Sequence, residues 1–136
     1  NLCKRLVRRL LHIMMIDDFL KQMTIYFPTI KKELDEHIEE FGERLDTIVI
    51  EDIIMPRVID LMKNLKNEKK VKEIFDYFEK VSTEADENLL NIFSITVLEM
   101  LGDDRDILEI AKQYMGPITK KYQKDADLDL GRIISW

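Results

Sequence analysis

Residues 89–115 read LLNIFSITVLEMLGDDRDILEIAKQYM, and this stretch decides the fold class. Nine of the thirteen residues from Leu89 to Leu101 are apolar, and Glu99 is the only charged residue among them. An apolar run of this length is typical of a helix that is buried on most sides. Gly102 then ends the run, and the aspartates at positions 103, 104 and 106 can cap a second, amphipathic helix. The stretch therefore predicts two helices joined by a tight turn.

Helical periodicity continues on the N-terminal side of this stretch. Apolar side chains at three- and four-residue spacing predict a helix with the stripe Ile16 to Phe27 and another with the stripe Ile30 to Phe41, which ends at Gly42. Residues 47–66 are apolar almost all round, which predicts a buried helix. Pro56 lies inside that helix and removes a backbone donor, so we expect a kink or a break at the residue before it.

Chain length and composition indicate one all-α domain. The 136 residues suit a single domain, and four Gly and three Pro are too few for a turn-rich β-sandwich. Short loops between helices are typical of antiparallel neighbours, so we predict an antiparallel bundle or short α-solenoid of about seven to eight helices. We assign residues 1–14 to a basic arm and residues 15–136 to a single helical domain.

The C-terminal half carries a resemblance to known helical proteins. Residues 96–115 resemble the helix, Leu-Gly, Asp-capped turn, helix pattern of HEAT-type repeats. The region from Ile74 to Tyr122, with its FDYFEKV, LEMLGDD and YMGP elements, also resembles a group of small uncharacterised bacterial helical proteins. This resemblance implies a HEAT-like arrangement from Val71 onward and no catalytic residue. Because some small helical bacterial proteins neutralise toxins as immunity proteins, it also implies such a role by analogy.

Charge is distributed unevenly along the chain. Residues 1–14 contain four basic residues and no acidic one, which leaves the other 122 residues with 17 basic and 27 acidic groups. An acidic body repels phosphate backbones, so we expect no binding of nucleic acid by the main domain. The single cysteine suits the reducing cytoplasm. No apolar run reaches the roughly 20 residues that span a bilayer.

The basic arm is amphipathic when its residues are placed on a helix. We expect the arm to dock through two faces, formed by Leu6, Leu10 and Ile13 and by Arg8 and Arg9. Several interpretations of the arm stay open. It could dock on its own acidic body, dock across a homodimer or bind another partner. It could also contact a membrane, bind RNA, or be a stretch translated upstream of the natural start. We favour docking on protein over membrane contact, because the acidic body offers the arm an electrostatic partner.

Three residues of the predicted helix from Ile30 to Phe41 could bind a metal. Glu33, His37 and Glu40 lie at i, i+4 and i+7, and would offer two carboxylates and an imidazole. Metal sites in helical bundles draw ligands from several helices, however, and the only other histidine lies on the arm. We therefore predict no metal and no cofactor. A metal-dependent enzyme or small-ligand-binding protein built on these three candidates is the alternative function.

Two other acidic features have simpler explanations than a site. Asp125, Asp127 and Asp129 alternate as in a calcium loop, but Gly131 comes one residue late and no Glu stands at the twelfth position. We predict a solvated acidic turn there. For Glu99 we expect solvent exposure or a salt bridge with Arg57 or Arg105 rather than a catalytic role. Two histidines and one cysteine offer no nucleophilic triad, so we expect no enzymatic activity.

The most concentrated acidic surface lies on the predicted helix from Ile30 to Phe41. Its glutamates are Glu33, Glu36, Glu39, Glu40 and Glu43. We predict that they bind a basic partner, and that the protein is a non-enzymatic protein-binding module of immunity or regulatory type. The alternative that these charges only solvate a surface helix stays open.

Overall fold

A computed structural model describes Cys3, residues 13–64 and residues 67–132. This part of the chain contains seven helices and no β-strand, which confirms the all-α prediction. The helices are α1 (Ile16–Tyr26), α2 (Ile30–Phe41), α3 (residues 46–64), α4 (Glu68–Glu84), α5 (residues 87–103), α6 (Arg105–Tyr114) and α7 (Pro117–Asp129). The predicted arm helix, with Leu6, Arg8, Arg9 and Leu10, lies outside the described residues.

Two of the predicted helix boundaries, at Gly42 and Asp104, are confirmed. Gly42 ends α2 in the left-handed conformation, with φ of 74°, which glycine adopts without steric cost. At the start of α5 there is a cap that was not predicted: the side chain of Asp86 accepts a hydrogen bond from the backbone N–H of Leu89. Asp104 caps α6 in the same way. The predicted end of α5 at Gly102 is one residue too early, because the helix continues to Asp103 before the Asp104 cap interrupts it.

A π-helical turn accommodates the proline in α3. This helix consists of Asp46–Val49, the π-helical turn Ile50–Ile54 and Met55–Asn64. Within it, the N–H of Met55 donates to the carbonyl of Ile50 five residues earlier. The side chain of Arg57 donates to the carbonyl oxygen of Ile53 at 2.7 Å. The wider turn and the arginine compensate for the donor that Pro56 lacks, so the expected kink or break is a π-helical turn in a continuous helix.

The core is centred on α5, as the apolar stretch predicts. The aromatic rings of Phe78 on α4 and Phe93 on α5 lie 5.4 Å apart, and Phe19 of α1 lies 6.3 Å from Phe93. All three side chains are completely buried. A second π-helical turn, Phe93–Leu98, interrupts α5 and contacts the π-helical turn of α3. The most apolar helix therefore packs at the centre, where it meets α3, α4 and α7.

Helix α2 lies at the edge of this arrangement. Its principal contacts are with α1 and α3. The other helices pack more centrally: α6 contacts α3, α4 and α5, and α7 contacts α4 and α5. Among the described residues, the neighbours of α2 cover it mainly on these two sides, and much of its remaining surface is exposed.

Candidate protein-binding surface

Seven exposed residues on α2 and the turn after it form what we call the α2 surface. They are Asp35, Glu36, Ile38, Glu39, Glu40, Phe41 and Glu43. Four of the five predicted glutamates belong to it. Glu33 is the exception, since it is half-buried and forms an ion pair with Arg57 on α3 at 2.6 Å. Within residues 13–64 and 67–132, no basic side chain forms an ion pair with the acidic residues of the α2 surface.

The apolar residues of the α2 surface correct the sequence prediction. A single buried stripe was expected through Ile30, Leu34, Ile38 and Phe41. Ile30 is buried, but Ile38 is 39% exposed and Phe41 is 47% exposed. The inward position near the end of α2 is taken by His37, which is only 6% exposed. The helix therefore turns a histidine toward the core and leaves two large apolar side chains next to acidic ones.

His37 holds the turn that follows α2. Its Nε2 accepts a hydrogen bond from the backbone N–H of Leu45 at 3.0 Å. Its ring also lies 4.7 Å from the ring of Phe41. An imidazole nitrogen that accepts a hydrogen bond has its lone pair engaged. His37 therefore has a structural contact at the atom that a metal ion would need.

The three metal-ligand candidates are not assembled into a site. Glu33 pairs with Arg57, the Nε2 atom of His37 is engaged by Leu45, and Glu40 is exposed to solvent. In the described part of the chain, no group of three or more potential ligands is arranged to hold a metal ion.

Salt bridges of Arg44 link the turn after α2 to the start of α1. Its guanidinium group lies 2.7 Å from Asp17 on α1 and 2.5 Å from Asp46 at the start of α3. Burial alone would lower the pKa of Arg44, but the hydrogen bonds with Asp46 and Asp17 outweigh it and raise that pKa. The guanidinium therefore stays charged, and the end of the α2 surface lies beside the point where the chain enters the helical domain.

The entry point itself is anchored to α4 and α5. The N–H of Met14 donates to the carbonyl of Glu84, and the N–H of Asp86 donates to the carbonyl of Met14, both at 2.8 Å. The side chain of Met14 is buried, and its sulfur accepts a hydrogen bond from the hydroxyl of Tyr77. Of the residues predicted to dock the arm, only Ile13 is described, and it is half-buried.

A buried polar network on α7 was not predicted. Asp127 was expected in a solvated turn, but it lies on α7 and is 1% exposed. One oxygen of its carboxylate, Oδ1, accepts hydrogen bonds from Gln123 at 3.1 Å and from Arg132 at 2.9 Å. Gly102 on α5 leaves room for these groups, because a Cβ atom there would overlap them. Asp125 and Asp129 do face solvent. The spacing of Gln123 and Asp127 by four residues was the only sequence signal.

Neither expected partner forms a salt bridge with Glu99. Arg57 pairs with Glu33 instead, and Arg105 is exposed at the start of α6. The side chain of Glu99 is half-buried, and its backbone carbonyl accepts a hydrogen bond from Arg132 at 3.2 Å. This part of α5 is therefore joined to the end of α7 through the backbone.

Residues 20–129 match the family model described as Domain of unknown function (DUF7674). The chain belongs to the DUF7674 family. The match begins within α1, ends with α7 and includes the whole α2 surface, whereas the arm and Arg132 lie outside it. No curated protein and no solved structure matches the chain. None of the described helices of this family member has the length and hydropathy needed to cross a bilayer.

Proposed function

We propose that the protein is a non-enzymatic protein-binding module, of immunity or regulatory type, whose α2 surface binds a basic amphipathic segment of another protein. The observation that carries this proposal is the exposure of Ile38 and Phe41 beside acidic residues that lack basic partners in the described structure. Exposed apolar side chains scattered singly need no explanation, but two neighbours within an acidic surface are typical of recognition.

The arrangement of side chains on α2 suits the binding of an amphipathic helix from a partner protein. Residues three and four positions apart are neighbours on a helix, so Asp35, Ile38 and Phe41 form one row. Glu39 lies one turn beyond Asp35, and Glu43 follows in the turn after α2. A partner helix could place its apolar stripe on Ile38 and Phe41 and its lysines and arginines over the acidic residues. Charge would then accelerate association and select a basic partner, while apolar burial slows dissociation.

Two further expectations belong to this proposal. The first is a HEAT-like arrangement from Val71 onward, which the amphipathic α4 followed by the more apolar α5 supports, since solenoids present helical faces to partners. The second is a cytoplasmic location, which the single cysteine favours because the cytoplasm is reducing.

The binding test uses a defined peptide rather than a cell extract. The probe is a fluorescent helical peptide with a leucine stripe flanked by lysine and arginine, and a reference peptide carries glutamate in place of every basic residue. We expect saturable binding of the basic peptide only, weakened by salt because exposed charges are screened. The triple variant Glu36→Gln, Glu39→Gln and Glu43→Gln should weaken binding roughly tenfold, as should Phe41→Ser.

A matched control exists on α7. Leu128 is 61% exposed and lies between the exposed Asp125 and Asp129. The variant Leu128→Ser, Asp125→Asn and Asp129→Asn should leave peptide affinity unchanged, and circular dichroism should show that all variants stay helical. Equal binding of the acidic peptide, or equal loss in the α7 variant, would refute the proposed surface.

A groove between α1 and α4 favours a second candidate, a small-ligand-binding function. It has a volume of about 430 Å³ and is lined by Gln22, Tyr26, Glu73, Asp76, Tyr77 and Lys80. The rings of Tyr26 and Tyr77 lie 6.1 Å apart at a steep angle, next to two carboxylates. Aromatic faces and carboxylates together suit a small organic cation. Isothermal titration with tetramethylammonium and spermidine tests this candidate, and heat that disappears in Tyr26→Ala would support it over the α2 surface.

A further inference from the structure

The basic arm and the α2 surface carry complementary charge and meet at one end. Residues 1–12 contain Lys4, Arg5, Arg8 and Arg9 and no acid. The last residue of the arm, Met14, is fixed by hydrogen bonds to Glu84 and Asp86. Three residues later, Asp17 pairs with Arg44 in the turn that follows α2. The arm therefore joins the domain near the Phe41–Glu43 end of the α2 surface.

The arm and α2 also match in length and in the spacing of their apolar residues. Helix α2 has 12 residues and is about 18 Å long, and twelve helical residues of arm would span the same distance. Leu6 and Leu10 are four residues apart, as a stripe over Ile38 requires, and Arg5 and Arg9, which are also four residues apart, flank that stripe on one side. We infer that the arm of this chain folds back along its own α2 surface and occupies it.

This inference rests on the surface of the proposed function, but it adds an occupant and a consequence. A partner must displace the arm. The apparent affinity of that partner therefore equals its affinity for the vacant surface multiplied by the fraction of molecules in which the surface is vacant. The arm then acts as an internal competitor. Docking within one chain is favoured over docking across a dimer because the arm's attachment point is already at the end of the surface.

Cross-linking through Cys3 locates the arm in the full-length protein. Cys3 is exposed and is the single cysteine of the chain. Lys32 is exposed and shares a helical face with Glu36 and Glu39. A Lys32→Cys variant treated with a short bis-maleimide should form an intramolecular cross-link. Lys124→Cys, on an exposed position of α7, is the matched control and should react several-fold less. High salt should reduce the Lys32→Cys cross-link.

Neutralising the arm tests the competition. The variant Lys4→Gln, Arg5→Gln, Arg8→Gln and Arg9→Gln should lose the Lys32→Cys cross-link and bind the basic peptide roughly fivefold more tightly. Equal cross-linking at Lys124→Cys, or cross-linking that yields only dimers, overturns the inference. If the peptide binds with unchanged affinity in the neutralised variant and the cross-link is absent throughout, this inference fails while the proposed function stands. If the Lys32→Cys cross-link forms as expected but no peptide binds, the proposed function fails alone.

Discussion

Replacing Arg132 by alanine should strongly destabilise the protein through Asp127. The carboxylate of Asp127 is 1% exposed, and Arg132 supplies its only cationic partner among the described residues. Arg132 also donates to the carbonyl of Glu99 and pairs with Asp103. Removing one member of a buried ion pair typically costs about 3 to 5 kcal/mol, because the other charge stays buried without compensation. The exposed pair with Asp103 adds little.

We expect the lower end of that range for Arg132→Ala. The guanidinium side chain is 20% exposed, so water can reach Asp127 once the arginine is gone. A loss of about 3 kcal/mol in the free energy of unfolding corresponds to a fall of roughly 10 °C in melting temperature for a domain of this size. Urea unfolding followed by circular dichroism measures the first quantity, and a thermal scan measures the second. Arg105→Ala, at an exposed arginine, should stay within about 0.5 kcal/mol of the wild type.

A double variant tests whether the buried charge of Asp127 causes the loss of stability in Arg132→Ala. Asp127→Asn removes that charge, so Asp127→Asn combined with Arg132→Ala should be no less stable than Arg132→Ala alone. The coupling between the two substitutions should reach at least about 1.5 kcal/mol. Strictly additive losses would refute this reasoning, since they would mean that Arg132 stabilises the protein without acting on Asp127.

Four other predictions address the core, the network, alkaline stability and metal. Phe93→Ala should lower the free energy of unfolding by about 3 to 5 kcal/mol, because it opens a cavity where Phe19 and Phe78 meet; a loss below 1 kcal/mol in urea would contradict this core. Gly102→Ala should cost about 1 to 3 kcal/mol, since its methyl group overlaps the polar network on α7, and an unchanged melting temperature would show that the network has room to move. Burial raises the pKa of Tyr77 above its ordinary value of 10.0, so its contribution to stability is complete below pH 10 and falls as the pH rises further. Tyr77→Phe should therefore make the loss of stability above pH 10 shallower in urea titrations, and an identical slope would argue against burial as the cause. A chelator should leave the melting temperature unchanged, and a drop that His37→Ala abolishes would restore the metal interpretation.

The sequence by itself determined the helices, most of their ends and the central position of α5. These features depend on local physics: apolar spacing selects the buried face of a helix, Asp104 satisfies the first backbone donors of α6, and Gly42 adopts a positive φ. The glutamates of α2 were also identifiable as a charged surface, because they crowd one short segment.

Only the tertiary structure decided which side chains of those helices are covered. Ile38 and Phe41 continue an apolar stripe in sequence, yet they are exposed because α2 lies at the edge and none of the other six described helices packs over them. Asp127 looks like a surface aspartate, yet it is buried because Gly102, 25 residues earlier, leaves a gap and Arg132 folds back over it. Periodicity shows which residues share a face, but only the arrangement of neighbouring helices determines whether another part of the chain covers it.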